Sequence, residues 1–261
     1  MEGKRMKLAL IPPFQFLDDV FVTNTQMMLP HLISHESYAN RYRGFGELNS
    51  QFVIMDNGAA EDESIKDTEL VAKAIEFRVD EVVAPDYLGE SDFTVAKTIA
   101  FIQYCRGKYA GAHTPIGIVA QGVDAIDALW CIMEILNKES DAISTIYIPR
   151  LLVKGYYDLT RLRIAAKVSM HYPDKNIHFL GASAKWPGEI IEAARSGIVR
   201  SIDTSMPYMY AKLGMELDKE SPFIPTRGND GFYFTRLWST LETDLAKKNV
   251  DTILRWVNEK A

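Results

Sequence analysis

The chain has 261 residues, 47% of them hydrophobic and 25% charged, with a formal net charge of -6. These are ordinary globular values with enough chain for a sizeable core, and the acidic balance argues against holding a polyanion by bulk charge. Two cysteines, Cys105 and Cys131, fall in helix-like stretches without metal-ligand spacing. They read as free thiols in a reducing compartment. The charged start, Met1 to Lys7, leads into no long apolar run, so a cytoplasmic protein forming one domain over residues 1–261 is expected.

In chain order, short apolar runs alternate with amphipathic stretches. The runs are Leu8-Ala9-Leu10-Ile11, Phe52-Val53-Ile54-Met55, Glu81-Val82-Val83-Ala84, Ile116-Gly117-Ile118-Val119, residues 143–148, Ile177-His178-Phe179-Leu180 and residues 198–202. They recur about every 25–45 residues, the spacing of repeated βα units. Most are apolar on both faces, as in parallel strands covered by helices. Helices are predicted over 92–104 with Ser91 as N-cap, over 124–137, over 159–171, over 188–195 with Pro187 opening the first turn, and once or twice over 235–259. The pattern predicts an α/β fold, a (β/α)8 barrel with C-terminal helices and an irregular last unit. Its eighth strand is expected from residues 223–234, rich in Gly and aromatics. An open doubly wound sheet is the alternative. No Gly-rich phosphate loop follows any run, which weighs against a dinucleotide site.

In such a barrel the chemistry gathers at the strand C-termini. The run ends here carry Asp56-Asn57-Gly58, Pro85-Asp86-Tyr87, Gln121-Gly122, Gly181-Ala182-Ser183 and Asp203. Each has a plain structural reading, since Asp and Asn after a strand are common turn formers. Three acids and an amide converging on one mouth are harder to explain by turns alone, because clustered like charges oppose folding. Two carboxylates at one mouth are the minimum equipment for breaking and remaking a glycosidic bond. His31 and His35, four apart, have metal-compatible spacing but no third ligand, so no metal is expected. Arg161, Arg163 and Lys167 read as a solvated helix face or as phosphate contacts.

These segments resemble the tRNA-guanine transglycosylase superfamily. Asp56-Asn57-Gly58-Ala59-Ala60-Glu61 stands where the family has Asp-Ser-Gly-Gly-Phe-Gln. Pro85-Asp86-Tyr87 stands for Phe-Asp-Glu, and Gly117-Ile118-Val119-Ala120-Gln121-Gly122 for Gly-Ile-[Ile/Val]-Gln-Gly-Gly. Leu180-Gly181-Ala182-Ser183 stands for Met-Gly-Val-Gly, and Asp203-Thr204-Ser205-Met206-Pro207 matches Asp-x-x-Met-Pro. The zinc-binding cysteines of the tRNA enzymes are absent, since no cysteine follows Cys131. The chain is therefore most similar to the compact phage-type 7-deazaguanine DNA transglycosylases. Ile148-Pro149-Arg150 replaces the family's Gly-Gly, and Pro149 has no N–H to give a base.

The resemblance implies exchange of guanine in DNA for a 7-deazaguanine. Asp203 would be the nucleophile of a covalent glycosyl-enzyme and Asp56 the general acid/base. Asp86, Gln121, Gly122, Gly181 and Arg150 would hold the base, and Lys154, Lys185 and Arg200 would contact phosphates. It implies no cofactor, with DNA favoured over tRNA and the free 7-deazaguanine base as partners, in the host cytoplasm if phage-encoded. The alternatives are the same exchange on tRNA, a nucleoside or sugar hydrolase, and a noncatalytic nucleic-acid-binding barrel.

Overall fold

The computed structural model describes residues 5–45, 51–59, 65–108, 114–150, 160–182, 188–221 and 231–259. Eight strands form one parallel sheet: β1 (Lys7–Leu10), β2 (Thr25–Met28), β3 (Phe52–Met55), β4 (Glu81–Val83), β5 (Ile116–Val119), β6 (Ile143–Pro149), β7 (Asn176–Leu180) and β8 (Ser201–Thr204). Their hydrogen-bonded order is β1-β8-β7-β6-β5-β4-β3-β2, and the end strands β1 and β2 pack side by side to bring the ring near closure. This is a (β/α)8 barrel, as expected. β1, β2, β4 and β5 are buried along their whole length, apart from the exposed Lys7 that opens β1. That burial is why a two-residue alternation is missing from the sequence.

The eighth strand lies elsewhere than expected. Residues 222–230 fall outside the described residues, and residues 231–235 form a short helix. The strand that completes the ring is β2, Thr25-Gln26-Met27-Met28, whose four residues are all buried. Gln and Met carry weak strand preference, so this run lacks the β-branched signature of the others. Its environment holds it. The Gln26 amide donates to Val20 O at 2.7 Å and to Gln51 Oε1 at 2.9 Å, and the Tyr42 hydroxyl donates to Met27 O at 3.0 Å.

Helices cover the outside: α1 (Glu36–Phe45), α2 (Asp67–Glu76), α3 (Ser91–Lys108), α4 (Ala125–Glu139), α5 (Thr160–His171), α6 (Glu189–Ser196), α7 (Met206–Lys212), α8 (Gly231–Thr235) and α9 (Thr240–Val257). Local chemistry sets several ends. The Asp124 carboxylate accepts the N–H groups of Ile126 and Asp127 at the start of α4. Ser239 and Glu242 form a reciprocal capping box on α9. Gly197 ends α6 in the left-handed region, at φ 67°. None of the described helices is long and apolar enough to cross a membrane.

The barrel interior is layered. At its N-terminal end Glu81 of β4 accepts hydrogen bonds from Thr145 (2.6 Å), from Ser144 (2.9 Å) and from the Tyr147 hydroxyl, all on β6. It is also paired with Arg200, just before β8, at 2.9 Å and 3.1 Å. Contributions from alternate strands are the usual way a barrel floor is filled. The Tyr147 ring fits because β5 presents Gly117 beside it, where a Cβ would collide with the ring.

Candidate active site

At the C-terminal end of the strands the chain presents its acids in fixed geometry. Asp203 is the third residue of β8, and 5% of it is exposed. Its Oδ1 receives two hydrogen bonds, from His178 Nε2 at 3.0 Å and from the Gly181 N–H at 2.9 Å. Gly181 sits at φ 66°, and this left-handed turn at the end of β7 aims its N–H at the carboxylate. Among the described residues, Oδ2 of Asp203 receives no hydrogen bond.

Asp56 directly follows β3 and remains tied to the sheet. Its N–H donates to Met28 O at 2.9 Å, and its Oδ2 accepts from the Gly58 N–H at 3.3 Å. The neighbouring Asn57 points along the wall. Its amide donates to Ala84 O at 2.7 Å and to Asp86 Oδ1 at 2.6 Å, while its own oxygen accepts the Ala59 N–H at 2.8 Å. The Gln121 amide donates to the other oxygen of Asp86, and Gln121 Oε1 accepts the Gly89 N–H at 3.0 Å. Asp86 is thus clamped between two amides, each oriented by a backbone N–H. Burial pushes the Asp86 carboxyl above the usual carboxylate range, against the lowering effect of Asn57 and Gln121.

Asp56, Asp86, Gln121, Gly181 and Asp203 all lie at strand C-terminal ends, with Asp86 and Asp203 on strands half a ring apart. Asp86 and Gln121, expected to hold the edge of a base, bond each other. Asn57, which the sequence reading passed over as part of a turn, links Asp56's strand to Asp86. Gly122 serves packing: a Cβ there would lie 2.6 Å from the Ala128 N–H nitrogen at the start of α4. Arg150 runs alongside Gly181, its Cδ 3.2 Å from where a Cβ would stand.

The cations are arranged differently from the phosphate-contact expectation. Arg200 lies at the opposite end of the barrel, bound to Glu81. Arg161, grouped in the sequence with a solvated face, is 0% exposed and forms a two-pronged ion pair with Glu189. Lys154 and Lys185 lie outside the described residues. Among the described residues no group of three or more His, Cys, Asp or Glu is arranged to hold a metal ion. Cys131 and Cys105 are free thiols, pushed up by burial to about 12 and about 11.

No family model and no curated protein sequence matches the chain. Solved structures do resemble it. The YdjI aldolase of Escherichia coli K12 superposes with a TM-score of 0.60 at 9% identity, covering 98% of this chain and 91% of its own. Active domain 2 of a chitinase from Pyrococcus furiosus gives 0.53 at 9% identity, covering 98% and 97%. N-acetylneuraminate lyase from Mycoplasma synoviae gives 0.51 at 13% identity, covering 98% of both chains. At these identities the likeness establishes the barrel and nothing finer.

These findings overturn the kinship with tRNA-guanine transglycosylases and the exchange of guanine in DNA that it implied. The similar structures are aldolase, lyase and chitinase barrels, and no family model supports the transglycosylase resemblance. The expected transferase activity, its 7-deazaguanine substrate and the phage source lose their support with it. The physical reason lies in where the matching segments sit. Asp, Gly and Gln at the ends of parallel strands are what any barrel uses to turn its chain and furnish its mouth, so five short matches in order are weak evidence of descent.

Proposed function

We propose that the chain is an enzyme of the aldolase–lyase kind, which makes or breaks a carbon–carbon bond beside a carbonyl by proton transfer at the barrel mouth. The observation that carries this reading is the Asp203 carboxylate, with Oδ1 held by two N–H donors and Oδ2 left for a substrate proton. An aldolase and a lyase among the similar barrels support the choice of chemistry. Asp56, Asp86 and Asp203 stand at the strand C-terminal ends, and we assign the work to carboxylates.

In the cleavage direction, Asp203 Oδ2 takes the proton of a hydroxyl β to the carbonyl. The O–H electron pair becomes a new C=O bond, the carbon–carbon pair becomes the enolate double bond, and the negative charge moves to the former carbonyl oxygen. Asp203 then returns its proton to the enolate carbon. Arg150, beside Gly181, is the cation assigned to the enolate oxygen.

Deuterium wash-in tests the assignment. Small ketones and 2-keto acids, pyruvate and dihydroxyacetone among them, are incubated with the protein in D2O and followed by NMR. Exchange at the carbon beside the carbonyl is expected, falling about 10²-fold or more in Asp203→Asn. Exchange undiminished in that variant removes Asp203 from the role, and no exchange with any such compound removes the aldolase–lyase reading.

A further inference from the structure

A continuous hydrogen-bonded chain runs through the barrel from its floor to Asp203. Glu81 orients the Arg200 guanidinium through two contacts, and the ring of Phe52 lies under it, 5.0 Å away. With its fork held, Arg200 directs Nε–H at Ser201 Oγ, 3.3 Å away. Ser201 Oγ in turn lies 2.8 Å from His178 Nδ1, and His178 Nε2 lies 3.0 Å from Asp203 Oδ1. His178 and Ser201 are both 0% exposed.

Counting protons along this chain leaves one economical arrangement. Arginine only donates, so Ser201 Oγ accepts from Arg200. The Ser201 hydroxyl proton then has His178 Nδ1 as its acceptor, which makes Nδ1 the bare nitrogen. Nε2 carries the imidazole proton and donates it to Asp203. The opposite tautomer would set a bare Nε2 against a carboxylate and leave the Ser201 proton without an acceptor, both costly where water is excluded. An imidazolium is opposed as well: burial pushes the His178 pKa down and Arg200 adds to that, outweighing Asp203 and Glu81. The Tyr147 ring packs against the imidazole, its centroid 4.8 Å from that of His178.

We infer that His178 is the positioning residue of Asp203: a neutral imidazole protonated on Nε2 alone, its tautomer set from the barrel floor by Arg200 through Ser201, which together with the Gly181 N–H occupies Oδ1 and leaves Oδ2 as the reacting oxygen. The inference rests on the reading of Asp203 as the proton-transfer group. It assigns Arg200 and Glu81, far from the mouth, a role in the site.

The first test needs no substrate. The full chain is labelled with ¹⁵N-histidine, and the two-bond ¹H–¹⁵N spectrum is recorded, with His178 identified by the signals lost in His178→Gln. At neutral pH a bare Nδ1 and a protonated Nε2 are expected, and the pattern persists on acidification past the ordinary histidine range. An Nδ1–H tautomer or an imidazolium at neutral pH overturns the inference. Asp203→Asn keeps an oxygen for Nε2–H, so the tautomer is expected to survive in it. A switch there shows that Asp203, and not Arg200 through Ser201, sets the tautomer, which also overturns the inference.

The second test uses the wash-in reaction. His178→Phe removes the donor and is expected to lower turnover by about 10–100-fold with little change in KM. His178→Gln, whose amide can still donate to Oδ1, is expected to recover most of the loss. Equal losses in the two variants, both folded, would reduce His178 to a packing role. Failure of the wash-in reaction itself, with the tautomer as stated, would instead remove the aldolase–lyase reading on which the role of Asp203 rests.

Discussion

Arg161 of α5 and Glu189 of α6 meet as an ion pair exposed by no more than 1% on either side. Arg161 Nε donates to Glu189 Oε1 at 2.9 Å, and its NH1 donates to the carbonyls of Leu180 and Gly181 at 3.1 Å and 2.8 Å. The guanidinium also lies over the Phe179 ring, 4.6 Å from its centroid. A single buried cation thus ties two helices to the end of β7, where the Gly181 N–H is aimed at Asp203.

Breaking that pair from one side strands a buried charge. Arg161→Met is expected to destabilise the fold by about 3–5 kcal/mol, and Arg161→Met with Glu189→Leu by clearly less than the sum of the two singles. Urea unfolding of the four proteins checks this. Additive losses would show that the two side chains stabilise the fold independently.

Glu81 makes stability depend on acid. Burial alone would raise its carboxyl, but the Arg200 guanidinium, with Thr145 and Tyr147, holds it below the usual carboxylate range. The native state therefore releases this proton more readily than the unfolded chain. The resulting stability is fully present above the ordinary glutamate range and is lost as pH falls through and below it. Glu81→Gln is expected to be less stable at neutral pH and to show a shallower decline below about pH 4, measured as melting temperature against pH. An unchanged acid limb would exclude Glu81 as its source.

Asp86 has the opposite sign. Its carboxyl is raised, so the native state keeps the proton to higher pH than the unfolded chain does. Its ionisation therefore costs stability progressively as pH rises from the ordinary aspartate range through the raised value. Removing the charge does not simply restore that loss, because Asn at this position would turn an N–H₂ group toward Asn57 or Gln121. Asp86→Asn is expected to lose about 1–3 kcal/mol at neutral pH and to loosen the Gly89 turn that Gln121 holds. Denaturant titration gives the first and amide exchange at Gly89 the second. A variant as stable as the parent would mean that the amides reorient freely.

Gly117 and Tyr147 compete for one volume in the barrel. Gly117→Ala is expected to cost about 1–3 kcal/mol through overpacking, and Tyr147→Leu in the same chain to recover part of it. Thermal unfolding of the double-mutant set measures the coupling. No recovery would place the strain in the β5 backbone instead of the ring.

Much of the scaffold is legible along the chain. Seven of the strand runs appear as buried apolar stretches, and the helix start at Asp124 follows from capping chemistry that acts within a few residues. β2 is not legible, because Thr-Gln-Met-Met becomes a strand only between its neighbours. Asp56, Asp86, Gln121 and Asp203 stand out because parallel strands deliver their ends to one rim, a rule of topology that the spacing of the runs already implies.

What the amino-acid order by itself determined is the barrel and the list of polar groups at its mouth, since periodicity, capping and strand-end position are local properties. What those groups do to one another emerges from the folded chain: Asp86 is gripped by Asn57 and Gln121, Arg161 is buried, and Arg200, Ser201 and His178 lead to Asp203. Hydrogen-bond direction and burial depend on residues brought together from distant parts of the chain, and no local pattern records which donor will meet which acceptor.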